Sequence, residues 1–447
     1  MAWKRSYNNS LAPLLQGGFH MTEAVPRRKS ARSFTPATIL FLLLILLSSG
    51  QGRAKQGGDD VVPRVLNGAT PSEGRDVLHL EERWRIGGDD EDGILLGLVS
   101  EVGGDEEGNV YVLDSQLCQV HVFSPSGELL RTMFRQGEGP GEVLRPRDML
   151  ITEDWVGLAE EFPGKIIMVG YDGLPADNIR IGGIDNENGM YALISASAGG
   201  VNIVVSGTMI SRGQVAGVQD RKSFLIGISP DGKEQARYWE QDSSRDFNNL
   251  VLQEKTTAPS PWWGHTVGPD GRVYAALERD SYAISVFEAD GTPVRVIERE
   301  FEAIKRSKEE WDWMYALFES ATTTIPIEFK LVIEEYDAVI DYWRRGMHIA
   351  DNGSLWVLSS RGLRDEQQGV LLSYDIFDET GKFIRQAAIV CEGDSFYDCL
   401  FWINDEQVVL VKGGLAAMIA QFGTGTAVDG DEEEPEPQEV ICYSVIR

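Results

Sequence analysis

Glycines and carboxylates mark the first stretch that could do chemistry. In RQGEGPGE, Arg135 to Glu142, the glycines stand at 137, 139 and 141, and such loops can cradle a phosphate with bare backbone N–H groups. No Lys-Ser or Lys-Thr follows, no helical pattern follows, and Glu138 and Glu142 would repel an anion. The segment therefore reads as a corner in the chain, where glycine tolerates unusual dihedrals. The second stretch is SPWWGHT, Ser260 to Thr266. Trp262 and Trp263 could form a flat platform for a sugar or peptide, or a plug between packed sheets. His265 closes this stretch and enters a predicted inner strand, as His348 does further on. Aligning the turns Asp270-Gly271 and Asn352-Gly353 puts His348 one residue later than His265, so side-chain alternation points the two to opposite faces and disfavours a shared metal. His121, inside VHVF, reads as a sheet residue, and His79 belongs to an N-terminal strand. Arg147, just after the glycine-rich corner, could offer a cation to a central channel or form an ordinary ion pair. No G-x-S-x-G, H-E-x-x-H or Walker lysine is present, so no catalytic residue and no metal ligand is assigned.

The elements that must position these residues begin after a distinct N-terminal segment. Arg27, Arg28, Lys29 and Arg32 precede ILFLLLILL, Ile39 to Leu47, and then Ser48, Ser49 and Gly50. That is the order of a secretory signal, and the apolar run is shorter than the ~20 residues of a spanning helix. Residues 1–52 are read as a signal peptide and 53–76 as a flexible linker, with an uncleaved membrane anchor as the alternative. Export to the periplasm or the cell exterior follows, with no membrane span in the mature chain. The net charge is −29, and eight basic residues against Glu23 fall before residue 56, so the remainder is more acidic still. A polyanion of this size repels phosphate backbones, which excludes nucleic acid as a partner. Cys118, Cys391, Cys399 and Cys442 lack zinc-ligand spacing; Cys391 to Cys399 is the expected pairing if a disulfide forms. DGDEEEPEPQE, Asp429 to Glu439, lacks the ligand order of a calcium loop and reads as part of a solvated acidic loop, residues 423–438.

A repeat runs through the remainder. GNVYVLD, VHVFSPSG and ELLRTMF are β-rich runs separated by turn residues, and the pattern recurs from Asp270 and again from Asn352. Fainter copies end at Leu174 and Glu234. The turn glycines are Gly127, Gly173, Gly232, Gly291 and Gly381. A repeat of ~40 to 60 residues with four short strands is the pattern of propeller blades. The last blade is assembled from both ends: EQVVLVKG and the C-terminal EVICYSVIR, with VLHLEERWRIGG as its outer strand. One insertion interrupts the pattern at residues 301–343. Trp311, Met314, Tyr315 and Phe318 have helical spacing, and a second helical stretch is expected after Pro326. The insertion is either a strut on one blade or a lid over the channel; an apolar patch on Trp311 and Trp313 would favour docking of a partner there.

GNVYVLD, VHVFSPSGELLRT and GEGPGE resemble the blades of six-bladed β-propellers related to NHL-repeat and TolB-like proteins. The resemblance spans residues 77–447 and implies an all-β six-bladed propeller with an N-terminal strand closing the last blade. It says less about activity, because such propellers include binding modules, sensors, lactonases and lyases. The expectation is an exported, monomeric binding module with a protein or glycan partner and no cofactor, for which Trp262, Trp263, His265 and Arg147 are the candidate ligand-binding residues. The alternative is a metal-dependent, lactonase-like hydrolase or lyase using Ca or Zn.

Overall fold

The computed structural model describes residues 62–88, 94, 96–182, 189–320, 328–365, 367–414 and 438–446. Residues 1–52, read above as a signal peptide, and nearly all of the expected acidic loop lie outside them.

One kind of turn organises these residues. At Ser124 to Gly127 the glycine N–H donates to the Ser124 carbonyl at 2.9 Å. Gly127 has φ 86°, and a Cβ there would lie 2.6 Å from the Trp84 ring, so both dihedral and space demand glycine. The same bond, from glycine N–H to the carbonyl three residues back, recurs at Gly173, Gly232, Gly291 and Gly381. Each of these turns joins the third and fourth strands of an antiparallel meander.

The first meander comprises Val99–Gly104, Val110–Asp114, Gln119–Phe123 and Leu129–Met133. The second starts at Pro146–Ile151 and the third at Met190–Gly199; the third has the longest strands. The fourth starts at His265–Val267 and gains Arg64–Asn67 as a fifth strand. An eight-stranded sheet completes the set, with Met347–Ile349 at one edge and Cys399–Asn404 at the other. Apolar cores lie between consecutive sheets: Tyr111, Leu113 and Val120 meet Val156 and Ile167, while Val204 and Leu225 meet Val273 and Phe287. The end of the chain meets its beginning in the same way, through Val409, Val411 and Cys442 against Val99, Val110 and Phe123. The first strands of neighbouring sheets lie side by side. The chain is thus all-β and of propeller type.

The glycine-rich corner holds an anion of its own. Arg135–Gln136 pairs in parallel with Glu142–Val143, and the Glu142 carboxylate accepts the Gly139 N–H at 2.8 Å and pairs with Arg135 at 2.7 Å. A Cβ on Gly137 would sit 2.0 Å from a Glu142 oxygen. The segment folds around its own glutamate as it passes from the first sheet to the second.

Two expectations need correction. Much of the supposed linker is structured: Arg64–Asn67 pairs in parallel with Pro293–Arg299, and Arg75–Gly87 pairs with Phe383–Val390 before joining Glu439–Ile446 antiparallel. Unpaired edges of two consecutive sheets stabilise it, which a local reading of composition misses. In the insertion, helix Lys308–Ser320 forms and buries Met314 and Phe318. No second helix follows among the described residues; instead Phe329–Val332 pairs in parallel with Leu250–Gln253, because an available strand edge overrides local propensity.

Asn67 staples the N-terminal strap: its Nδ2 donates to Glu298 and Gly381 carbonyls, each at 3.0 Å, and its Oδ1 accepts the Phe383 N–H at 2.9 Å. Asn67→Ala should lower stability by about 1–3 kcal/mol in urea unfolding, whereas Leu66→Ala, at an exposed neighbour, should change it little; equal effects would show that the staple carries no weight.

Candidate functional site

The C-terminal ends of the first strands meet around one cavity of about 1400 Å³, lined by Gly104, Ile151, Gly199, Val267, Asp351 and Asn404 among others. Its rim is acidic. Asp105, Glu106 and Glu107 come from the first turn of the first sheet and Glu153 from that of the second; Asp351, Asp405 and Glu406 stand on the turns of the eight-stranded sheet. Glu106, Glu107, Glu153, Asp351 and Glu406 are exposed. The backbone fixes the other two: Asp105 accepts the Asn109 N–H at 2.9 Å, and Asp405 accepts the Asp351 N–H at 3.1 Å.

Arg131 is the one cation among the described lining residues, and it is already engaged. It donates to the Tyr171 carbonyl at 2.8 Å and lies 5.6 Å from the Tyr171 ring centroid. Beside it the Tyr111 hydroxyl donates to Asp105 at 2.9 Å. Burial and then this hydrogen bond hold the Tyr111 hydroxyl well above its usual range, so it stays a neutral donor. The carboxylates outnumber the single guanidinium, and a concave, one-sign rim concentrates field lines and attracts cations.

The opposite part of the axis is plugged. Arg345, with φ 51° just ahead of Met347–Ile349, reaches Glu101 on the first sheet at 2.5 Å and Asp148 on the second. Asp148 also accepts the Ala196 N–H of the third sheet at 2.7 Å. Two carboxyls share one guanidinium here. Burial, followed by the Asp148 charge, outweighs Arg345 and pushes Glu101 up to about 8.

None of the residues chosen from sequence lines the acidic mouth. Trp262 is 1% exposed; its indole N–H donates to the Gly207 carbonyl at 3.1 Å, and its own carbonyl accepts the Ser195 and Ser206 hydroxyls. It therefore fills space rather than presenting a platform. Trp263 stacks on Tyr342, with planes 7° apart, and on Trp343, joining the fourth sheet to the insertion. His265 is buried with Nδ1 3.0 Å from the Pro261 carbonyl, and burial plus the Arg345 charge push it down to about 4. His348 stacks on Trp402 instead. Arg147 pairs with buried Glu161 at 2.6 Å. All four cysteines are free, so the Cys391–Cys399 bridge does not form. Among the described residues no three His, Cys, Asp or Glu side chains are grouped to hold a metal ion. The mouth was nonetheless written in the sequence: DEEGN, TEDW, ADNG and NDEQ occupy the first turn of their repeats, at one end of the ring.

No family model matches the chain, and no curated protein does. Solved structures do. A Bacteroides fragilis protein assigned as exported is 12% identical, with 86% of this chain and all of that one covered, at a TM-score of 0.45. A luciferin-regenerating enzyme is 11% identical over 81% of this chain and 96% of its own, at 0.41. Virginiamycin B lyase from Staphylococcus aureus is 9% identical over 81% and 99%, at 0.38. Among the described residues no helix is long and apolar enough to cross a membrane.

Two measurements check the interior. Trp262→Ala should cost on the order of 3–5 kcal/mol by chemical unfolding, and an unchanged midpoint would contradict the filling role. The second concerns pH. Between 6.5 and about 8 the folded chain retains a Glu101 proton that the unfolded chain has lost, so stability falls as pH rises through this window. His265 and His348, both pushed down to about 4, act mainly below about 7, where stability falls as pH drops, a trend opposite in sign to that of Glu101. The melting temperature of the wild type should therefore decline from pH 6.5 to 8, and Glu101→Gln should flatten that decline; parallel profiles would refute the assignment.

Proposed function

We propose that this chain is an exported six-bladed β-propeller that acts as a binding module in the cell envelope or outside the cell, and that its acidic mouth receives a cationic segment of a partner protein. The single observation that carries the reading is the rim: carboxylates from separate sheets surround a large open cavity whose only described lining cation is held by Tyr171 and Tyr111.

The blade count comes from dividing the eight-stranded sheet between Phe383–Val390 and Arg75–Gly87. Each part then has four strands, like the first three sheets, with Arg75–Gly87 as the outer strand of the last blade. Residues 77–447 form the propeller in this reading, preceded by a strap and by the signal segment, whose basic and apolar order supports export. A rigid ring suits recognition because loops on one face can vary without disturbing the cores between sheets. A metal-dependent hydrolase or lyase would need convergent ligands, and the described residues offer no such group.

The test is fluorescence anisotropy with a labelled octaarginine peptide at about 0.1 M salt, where screening acts beyond roughly 10 Å. Glu106→Lys/Glu107→Lys/Glu153→Lys should weaken binding about tenfold or more. Glu128→Lys/Glu300→Lys/Glu379→Lys makes the same change in net charge at exposed positions outside the mouth and should weaken it much less. Equal losses would mean that the peptide senses only total charge, and the mouth would lose its role.

A further inference from the structure

A separate concavity of about 440 Å³ lies between helix Lys308–Ser320 and the turn around Asp394 to Tyr397. This is within the size range of small-molecule pockets. Its wall is aromatic and angular: the Trp313 and Phe396 rings meet at 5.3 Å and 74°, and Phe396 and Tyr397 at 5.0 Å and 89°. Trp343, also on the wall, is backed by Trp263.

Three arginines and six carboxylates stand on the same wall, and each arginine is already paired. Arg344, 7% exposed, is held by Asp341 at 2.7 Å and by the Phe396 carbonyl at 2.5 Å, with its guanidinium 5.9 Å from the Phe396 ring centroid. Arg364 pairs with Glu310 and Asp337, each at 2.7 Å, and Arg306 pairs with buried Glu254. Asp394 and exposed Glu309 stand near Tyr397, whose hydroxyl is held up by burial and then by these two charges. The arginines' charges are spent in these pairs, so an anion meets excess carboxylate, while Asp394 and Glu309 remain as acceptors beside the rings. A neutral ligand with several hydroxyls fits these acceptors, with its apolar faces against the rings.

We infer that this pocket binds a neutral saccharide of about two or three units. Sugar C–H faces pack on Trp313 and Tyr397, hydroxyls donate to Asp394 and Glu309, and hydroxyl oxygens accept from guanidinium N–H groups on the wall. The site is independent of the acidic mouth, and charge reversal there leaves it untouched.

The experiment titrates the intact protein with maltotriose, cellotriose and triacetylchitotriose, read by tryptophan fluorescence and calorimetry, with benzoate and tetramethylammonium as charged controls. Saturable binding of at least one saccharide is expected. Trp313→Ala and, separately, Tyr397→Ala should each weaken it about tenfold, at temperatures where melting curves show the variant folded. Tyr397 is 37% exposed, so its truncation keeps the test open if Trp313→Ala unfolds. Failure of all three saccharides to bind, binding of a charged control alone, or binding unchanged by both substitutions would overturn the inference.

Discussion

A single guanidinium on the axis holds the interior together. Arg345 draws Glu101 of the first sheet and Asp148 of the second toward the entry of the strand Met347–Ile349, so three first strands that are distant in sequence share one charge. Two carboxyls buried side by side would otherwise repel each other in a poorly screened interior. Arg345 adopts a left-handed backbone conformation, φ 51°, that costs a side-chain-bearing residue on the order of 1–2 kcal/mol, and the Asp148 ion pair together with the contact to Glu101 offsets this. The plug also gives the ring its polarity: one part of the axis is filled with paired charge, while the other opens into the acidic cavity.

The insertion is tied to the ring by the same kind of chemistry. Buried Glu254, ahead of the fourth sheet, takes Arg279, Arg306 and the Glu334 N–H. Arg306 passes the connection to Asp337, and Arg364 joins Asp337 to Glu310 on the helix. Removing one member would strand a buried charge, which is why such networks hold a particular geometry even where their net contribution to stability is modest. The aromatic stack of Trp263, Tyr342 and Trp343 seals the same junction. Neither a strut nor a lid describes the result fully: the insertion braces the sheets, delivers Arg345 to the axis and walls a pocket of its own.

The repeat was legible from sequence because its signals are local. β-rich runs and turn glycines set strand and hairpin without reference to distant residues, so the meanders and the five glycine turns emerged where they were read. The joining of Arg75–Gly87 to the C-terminal strand was also legible, because VLHLEERWRIGG repeats the outer-strand pattern of the first blade. Local reading failed where an element depends on an edge supplied by another part of the chain, as at Arg64–Asn67 and Phe329–Val332.

For the candidate site the division is sharper. Alternation along the strands correctly set His265 apart from His348, but adjacency of Trp262 and Trp263 carried no information about which ring would be buried. Each acidic turn, taken alone in the sequence, is an ordinary strand-to-strand turn. Only closure of the ring brings Asp105, Glu153, Asp351 and Glu406 to a common rim, because spacing along the chain says nothing about which turns share an axis. Sequence by itself determined the strands, their turns and a strongly acidic surface; tertiary structure decided where that charge is concentrated and that one arginine, from the far side of an insertion, closes the other part of the axis.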